Sequence, residues 1–298
     1  MTHYEMVSSN KVKSNIVVLG FMLFVVLASY LITVGFNYPL SFVGIALIIS
    51  GITSFGSYWF SDSIILGISG AKEAKREEYF DFYTVAENLS VSQRMPKPKL
   101  YVIQDSAPNA FATGRDPEHA VVCCTTGILE KLNKAEIEGV IAHELSHIQN
   151  YDIRLMSIVS ILVGFLALLS DFILRMSFFR SGERKNENSG QMQTILLVVG
   201  LVMAILSPII AKIIQLAISR RREFLADASA VAMTKNPEGL AKALEKIALD
   251  KEPLEAANNA TAHLYISNPL KNTKGHLFSS LFNTHPPVQD RIAALRKL

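Results

Sequence analysis

Cysteine is scarce in this sequence: among 298 residues there are only two, and they stand side by side as Cys123 and Cys124. Adjacent cysteines lack the C-x-x-C spacing of a structural zinc site, and they make a poor disulfide. We therefore expect two small buried residues within the apolar run 120–124. This cysteine usage demands no oxidising compartment and is compatible with a reducing cytoplasm.

Charged residues are also few. They make up only 18% of the sequence while 50% is hydrophobic, and the mean hydropathy of +0.28 is too high for an ordinary soluble enzyme. The net charge of +3 is modest. Because the basic residues mostly flank apolar segments, they are interpreted as topology determinants and contacts to anionic lipids. No nucleic acid is expected as a partner.

Long apolar runs, in contrast, account for much of the chain. The first, 15–36, is long enough to cross ~30 Å of hydrocarbon. It is too long for a signal peptide, and no small-residue cleavage site follows it. Further runs lie at 41–60, 155–176 and 192–218. The sequence thus predicts a polytopic α-helical membrane protein with four apolar segments in a lipid bilayer. Asp171 and the basic residues after the third run leave open whether the last two segments fully span.

The sequence H-E-x-x-H at 143–147 lies within a helical pattern that runs from 133 to 150. Positions four apart share a helix face, so His143 and His147 can offer two imidazoles to one tetrahedral Zn²⁺. Glu144 points to the neighbouring face, where it can act as a base on the attacking water. A solvated helix with ordinary histidines is the alternative. An Asn133–Glu136 capping box and an apolar face argue against it.

A catalytic zinc site needs a third protein ligand and an open position. The metzincin pattern would need a glycine and a histidine where Asn150 and Ile153 stand, so it fails. A distant glutamate remains, and Glu223 is favoured because Asp227 follows one turn later and can accept a hydrogen bond from His143 or His147. The alternative for Glu223 is a salt bridge within 220–223. The other downstream candidates are Glu183, Glu187, Glu238, Glu245, Glu252 and Glu255.

The distribution of Lys and Arg predicts the orientation. Lys11 and Lys13 precede the first apolar run, and three arginines follow the fourth at 220–222. The positive-inside rule then places both termini and the 143–147 motif in the cytoplasm. An even number of crossings, two or none, separates the motif from Glu223, so both lie on one side.

The predicted units are an N-terminal tip with two transmembrane helices at 1–70, the first part of a protease domain at 71–154, membrane segments at 155–218 and the second part of the protease domain at 219–298.

Four further residues are candidates for contacts with a substrate or an oxyanion. The stretch 109–114, with Asn109 and Phe111, lies between two predicted strands. A short exposed strand there can pair with an extended substrate, although a plain hairpin strand is equally compatible with the sequence. His285 can donate a hydrogen bond to an oxyanion, as can His263, but a structural role in a loop is the favoured alternative for each.

With these motifs in this order, the chain resembles the HtpX membrane zinc metalloproteases over almost its whole length. The matching stretches are 109–114 (NAFATG), 143–147 (HELSH), 150–152 (NYD), 222–227 (REFLAD) and 284–287 (THPP). The resemblance implies an α+β fold, with a mainly helical gluzincin-like domain carrying a small β-sheet. It implies one Zn²⁺ per chain, held by His143, His147 and Glu223, with Glu144 as the base. It also implies a stress-linked role at the cytoplasmic membrane, in the hydrolysis of misfolded or damaged membrane proteins.

The sequence is also compatible with two other functions. The related CAAX prenyl proteases share the metal motifs, but they are longer and have more spans. A non-catalytic metal-binding membrane chaperone would keep the ligands but would have no use for Glu144. Substrate sequence preference, oligomeric state and regulation are left open by the sequence.

Overall fold

The protein is mainly helical with one small sheet. The computed structural model describes residues 3–35, 39–162, 164–165, 220–256, 261–267 and 286–298. This architecture agrees with the predicted α+β class. The helices are α1 His3–Gly35, α2 Ser41–Trp59, α3 Ser61–Ile68, α4 Phe80–Ser92, α5 Thr126–Lys131, α6 Lys134–Gln149, α7 152–162, α8 Arg220–Thr234, α9 Pro237–Leu249 and α10 Val288–Leu295. The strands are β1 Lys72–Glu73, β2 Lys99–Ile103, β3 Ala110–Thr113 and β4 Val121–Thr125.

Two of the helices are long and apolar enough to cross a membrane, within the part of the chain that the structure describes. They contain the windows Val7–Leu27 and Ser41–Trp59, and only 17% of each window is buried inside the protein. Most of these apolar side chains therefore face outward, as contact with lipid requires. The third predicted segment enters the described residues only at its start, in α7. The fourth, 192–218, lies outside them.

The sheet has the order β1-β2-β4-β3. Its central strand β4 pairs parallel with β2 and antiparallel with β3, with Ala110 opposite Cys124 and Ala112 opposite Val122. Both cysteines are buried in β4, as expected from the apolar run. The strand β3 lies at one edge of this sheet and packs beside α6, which carries the H-E-x-x-H motif.

Helix α6 begins with the capping box that the sequence predicts. Asn133 Oδ1 accepts a hydrogen bond from the Glu136 backbone N–H (3.0 Å), and Glu136 Oε2 accepts one from the Asn133 N–H (2.8 Å). The helix is then buried along most of its length, including Ile141, Leu145 and Ile148. Because α6 lies in the core, its polar side chains at 143, 144 and 147 are removed from solvent and must be paired.

Glycines bring α6 and α9 into backbone contact. A Cβ added at Gly139 would lie 2.7 Å from the backbone nitrogen of Leu240, and one at Gly239 would lie 2.7 Å from the carbonyl oxygen of Ala135. Any side chain at either position would force the two helices apart. This close approach fixes α6 against the C-terminal half of the chain, in which α8 and α9 also contact each other.

The chain turns sharply after α6. Tyr151 adopts a left-handed backbone conformation with φ of 58°, and the Asn150 N–H closes the helix on the carbonyl of Ser146 at 3.0 Å. Helix α7 then begins at Asp152 and runs through buried apolar residues such as Leu155 and Ile158. The turn therefore returns the Asp152 side chain toward the end of α6.

Candidate metal centre

Three side chains from two helices, α6 and α8, converge in the core. His143 Nε2 and His147 Nε2 are 3.2 Å apart, and the Glu223 carboxylate lies 3.8 Å from the first and 3.7 Å from the second. Their ligand atoms all lie within 4.8 Å of one another, and all three residues are buried. Donor atoms bound at ~2.0 Å around a tetrahedral ion lie about 3.3 Å apart. Two imidazole nitrogens and one carboxylate at these separations fit a catalytic zinc site.

His147 is oriented by a carboxylate that sequence reasoning missed. Its Nδ1 donates a hydrogen bond to Asp152 Oδ2 at 3.0 Å, which leaves Nε2 facing His143. Burial lowers the pKa of His147, but the bond to Asp152 and the charges of Glu223 and Asp152 outweigh burial and raise the pKa to about 9. Asp152 stands in the NYD stretch, but a turn separates it from α6, so helical periodicity gives no signal for its contact.

His143 is oriented by Asp227. The sequence left open whether Asp227 contacts His143 or His147. In the structure Asp227 Oδ1 lies 3.0 Å from His143 Nδ1, so its partner is His143. Burial lowers the pKa of His143 to about 4, against the opposing effect of the bond to Asp227. The imidazole of His143 is therefore neutral at pH 7, the form in which histidine binds metals, whereas metal binding at His147 would have to displace a proton.

Arg291 of α10 was not predicted and is fully buried at the site, at 0% exposure. Its Nε and Nη2 donate to the two oxygens of Asp227 at 2.8 and 2.7 Å, and its Nη1 donates to the carbonyl of Ile266 at 3.2 Å. Burial raises the pKa of Asp227, but the hydrogen bonds and charge of Arg291 outweigh burial and lower the pKa to about 2. Asp227 is thus held ionised and in a fixed position beside His143.

Glu144 lies beside the three converging residues and is also buried. Burial raises the pKa of this carboxyl to about 7, although the charge of His147 and a hydrogen bond from the Ala112 backbone N–H oppose the rise. A carboxylate whose pKa lies near neutral pH can both accept and return a proton there. The Ala112 bond also fixes Glu144 against the outer edge of β3.

The sequence left open whether β3 is an exposed strand or a plain hairpin strand, and the structure shows a buried strand paired with β4. All four of its residues are buried, and the Ala110 carbonyl accepts a hydrogen bond from the Ile266 N–H at 2.9 Å. Part of the outer edge of β3 is therefore covered by residues 265–267. This cover could not be predicted from the sequence, because the contact joins positions far apart in the chain.

Asn109 and Phe111 both hold this covering segment. Asn109 Nδ2 donates to the Ser267 carbonyl at 3.1 Å, and the ring of Phe111 packs edge-on against Tyr265, with 5.0 Å between ring centroids. Neither side chain belongs to the group that converges on Glu223, so their contact with a substrate stays a prediction. His285 lies outside the described residues, and so does the side chain of His263.

Comparison with known proteins agrees with this geometry. Residues 80–298 match the model of Peptidase family M48. The chain is 44% identical to the "Protease HtpX homolog" of Dictyoglomus turgidum, over 100% of this chain and 95% of that protein. It is 41% identical to the homologue of Thermoanaerobacter pseudethanolicus, over 100% and 98%. Identity to the homologue of Listeria monocytogenes is also 41%, over 99% of both chains.

A solved structure shares the fold. The crystal structure of S. mikatae Ste24p superposes with a TM-score of 0.50 at 21% sequence identity, covering 98% of this chain and 67% of that one. At this identity the likeness concerns the fold alone. The full-length similarity to the HtpX homologues and the match over residues 80–298 show that the chain belongs to Peptidase family M48, as an HtpX-type membrane metalloprotease.

Proposed function

We propose that this chain is a zinc-dependent endopeptidase of the cell membrane that hydrolyses peptide bonds of misfolded or damaged membrane proteins from the cytoplasmic side. The convergence of His143, His147 and Glu223 in the core, with buried Glu144 beside them, is the observation that carries the proposal. Two imidazole nitrogens and one carboxylate form a three-ligand donor set of the kind that would hold a catalytic zinc.

The roles follow from the contacts. His143, His147 and Glu223 would hold the zinc, and a zinc bound there would make water more acidic and polarise the scissile carbonyl. Glu144 takes the proton of the attacking water and returns it to the leaving amine. The Ala112 N–H keeps the Glu144 carboxylate in place. Asp227 and Asp152 hold the two imidazoles through their Nδ1 atoms.

The proposed domain division is supported by packing. Apolar residues of α4, β2, β4 and α6, from 71–154, share one core with residues of α8, α9 and α10, from 219–298. These parts would form one cytoplasmic protease domain. The units 1–70 and 155–218 would anchor it through four apolar segments of a multi-pass protein.

Membrane-protein substrates are favoured by the position of the site relative to the anchor. The buried amide of Asn10 in α1 contacts Asp152, which in turn contacts His147. The N-terminal part of a candidate membrane helix therefore lies next to the metal centre. A site held this close to its anchor can receive exposed loops or unfolded segments of neighbouring membrane proteins.

The test uses the full chain purified in detergent with a chelator, then supplied with zinc. Cleavage of a reconstituted, destabilised membrane protein should return with zinc and should be absent in Glu144→Gln, which should still bind zinc. Wild-type cleavage by Glu144→Gln would refute its role as the base. Cleavage of soluble casein alone would refute the substrate class, and cleavage of a prenylated CAAX peptide alone would favour the prenyl-protease alternative.

A further inference from the structure

A buried asparagine lies in the first membrane helix. Asn10 of α1 is 3% exposed. Its Nδ2 donates to the Asn150 carbonyl at 2.9 Å and to Asp152 Oδ1 at 2.7 Å, and its Oδ1 accepts from Arg222 Nη1 at 3.2 Å. A buried amide is costly unless it is hydrogen-bonded. Here both ends of the amide are used, and all three partners lie more than a hundred residues along the chain.

The same amide completes the surroundings of Asp152. Asp152 Oδ1 accepts hydrogen bonds from Asn10 Nδ2 at 2.7 Å and from Arg222 Nη1 at 3.1 Å. Asp152 Oδ2 accepts from His147 Nδ1 at 3.0 Å. Asn10 and Arg222 therefore fix one oxygen of this carboxylate while the other oxygen fixes the imidazole. A rotation of Asp152 would turn His147 away from Glu223.

Docking of α1 does not depend on the amide. Further along the helix, Val17 packs against the cluster that contains Leu155 and Phe111. Phe21 is buried against Ile158 and Leu162 of α7. These apolar contacts would hold α1 in place if Asn10 were replaced by an apolar residue of similar size. The hydrogen bonds from Asn10 to Asp152 and Asn150 thus add a polar connection to a helix that is already docked.

We propose that Asn10 is a positioning residue for the metal centre: the N-terminal part of the first membrane helix holds Asp152, and through it His147, in the orientation that binds zinc. This inference rests on the proposed function. It makes the membrane anchor part of the site, because Asn10 Nδ2 supplies the shorter of the two hydrogen bonds that Asp152 Oδ1 accepts, and Arg222 supplies the other. The separation of α1 from the domain would therefore weaken metal binding.

The test compares Asn10→Leu with Asn15→Leu in the full chain in detergent. Asn15 lies on the same helix, is exposed, and accepts only a 3.3 Å hydrogen bond from Arg154 among the described contacts. Zinc affinity is measured by competition with a chromogenic chelator at fixed pH. Loss of Asp152, the direct partner of His147, would lower affinity roughly 10- to 100-fold. Asn10 acts one contact further out and Arg222 still holds Asp152 Oδ1, so we expect a loss of up to about tenfold in Asn10→Leu and wild-type affinity in Asn15→Leu.

A second measurement separates positioning from folding. With Co²⁺ in place of zinc, the visible spectrum reports the ligand geometry, which we expect to change in Asn10→Leu and not in Asn15→Leu. Thermal unfolding of the metal-free proteins should be alike, and if Asn10→Leu unfolds early, Asn10→Ala replaces it. Equal zinc affinity and equal cobalt spectra for the position-10 and position-15 variants would overturn the inference. A wild-type chain that binds no zinc would overturn the proposed function itself.

Discussion

Replacing Arg291 by methionine removes a buried positive charge beside the metal centre and keeps much of the side-chain volume. Arg291 makes a two-pronged contact to Asp227, at 2.8 and 2.7 Å, and its Nη1 lies 3.6 Å from Glu223. In Arg291→Met the carboxylate of Asp227 stays buried without this partner. His143, which Asp227 orients, then loses its fixed position.

The size of the effect follows from the burial. Removing one member of a buried ion pair costs roughly 3–5 kcal/mol, because the other charge is left without compensation. We expect the free energy of unfolding of metal-free protein to fall by that amount in Arg291→Met, and zinc affinity to fall roughly 10- to 100-fold. Arg291→Lys keeps the charge but not the planar fork, so its losses should be smaller.

Arg296 supplies the matched control on the same helix region. It is exposed and pairs with Glu238 at 3.1 Å and Glu245 at 2.8 Å. Exposed ion pairs are screened by solvent, so Arg296→Met should leave stability nearly unchanged. Denaturant titration of the chelated proteins in detergent gives both values, and chelator competition gives the zinc affinities. Equal stability losses for the two methionine variants would refute the reasoning about Arg291.

Three further predictions can be tested with the same preparations. Glu144→Gln should bind zinc as tightly as the wild type but lose proteolysis, measured by elemental analysis and by substrate cleavage; residual wild-type cleavage would contradict its role. Gly139→Val should destabilise the fold by roughly 1–3 kcal/mol, because its Cβ meets the Leu240 backbone, whereas Gly67→Val, with nothing within 4 Å of its Cβ, should not show this packing cost. Removing zinc from the wild type with a chelator should lower its melting temperature, by an amount that grows with the logarithm of the zinc affinity, and a melting temperature unchanged by chelation would argue against a built metal site.

Local pattern made the helix of the site predictable. The H-E-x-x-H spacing, the Asn133–Glu136 capping box and the apolar residues of α6 lie within one helix, so each reports on the same periodic structure. Glu223 and Asp227 could also be predicted as candidates. They stand one turn apart on α8, and without a third histidine in the metzincin position the third ligand is expected to be a carboxylate. The ligand role of Glu223 stays a prediction until metal is measured.

The residues that hold Asp227 and Asp152 in place could not be predicted from the sequence, because they act through long-range contacts. Arg291 pairs with Asp227 across 64 positions and Asn10 pairs with Asp152 across 142. No helical or strand period connects such residues. Likewise, the sequence could not decide between an exposed β3 and a plain hairpin strand, because the cover of its edge by Ile266 is a long-range contact. Tertiary packing determines these contacts, and their residues stand far apart in the sequence without any pattern that connects them.

The convergence of two imidazoles and one carboxylate on a single zinc ion is tested most directly by the zinc content of Glu223→Ala. Glu238→Ala, an exposed carboxylate of α9 paired with Arg296, is the control. Elemental analysis of the purified full chains should give about one zinc per chain in the wild type and in Glu238→Ala. We predict that Glu223→Ala retains little zinc after dialysis. Full retention of zinc by Glu223→Ala would contradict the proposed centre.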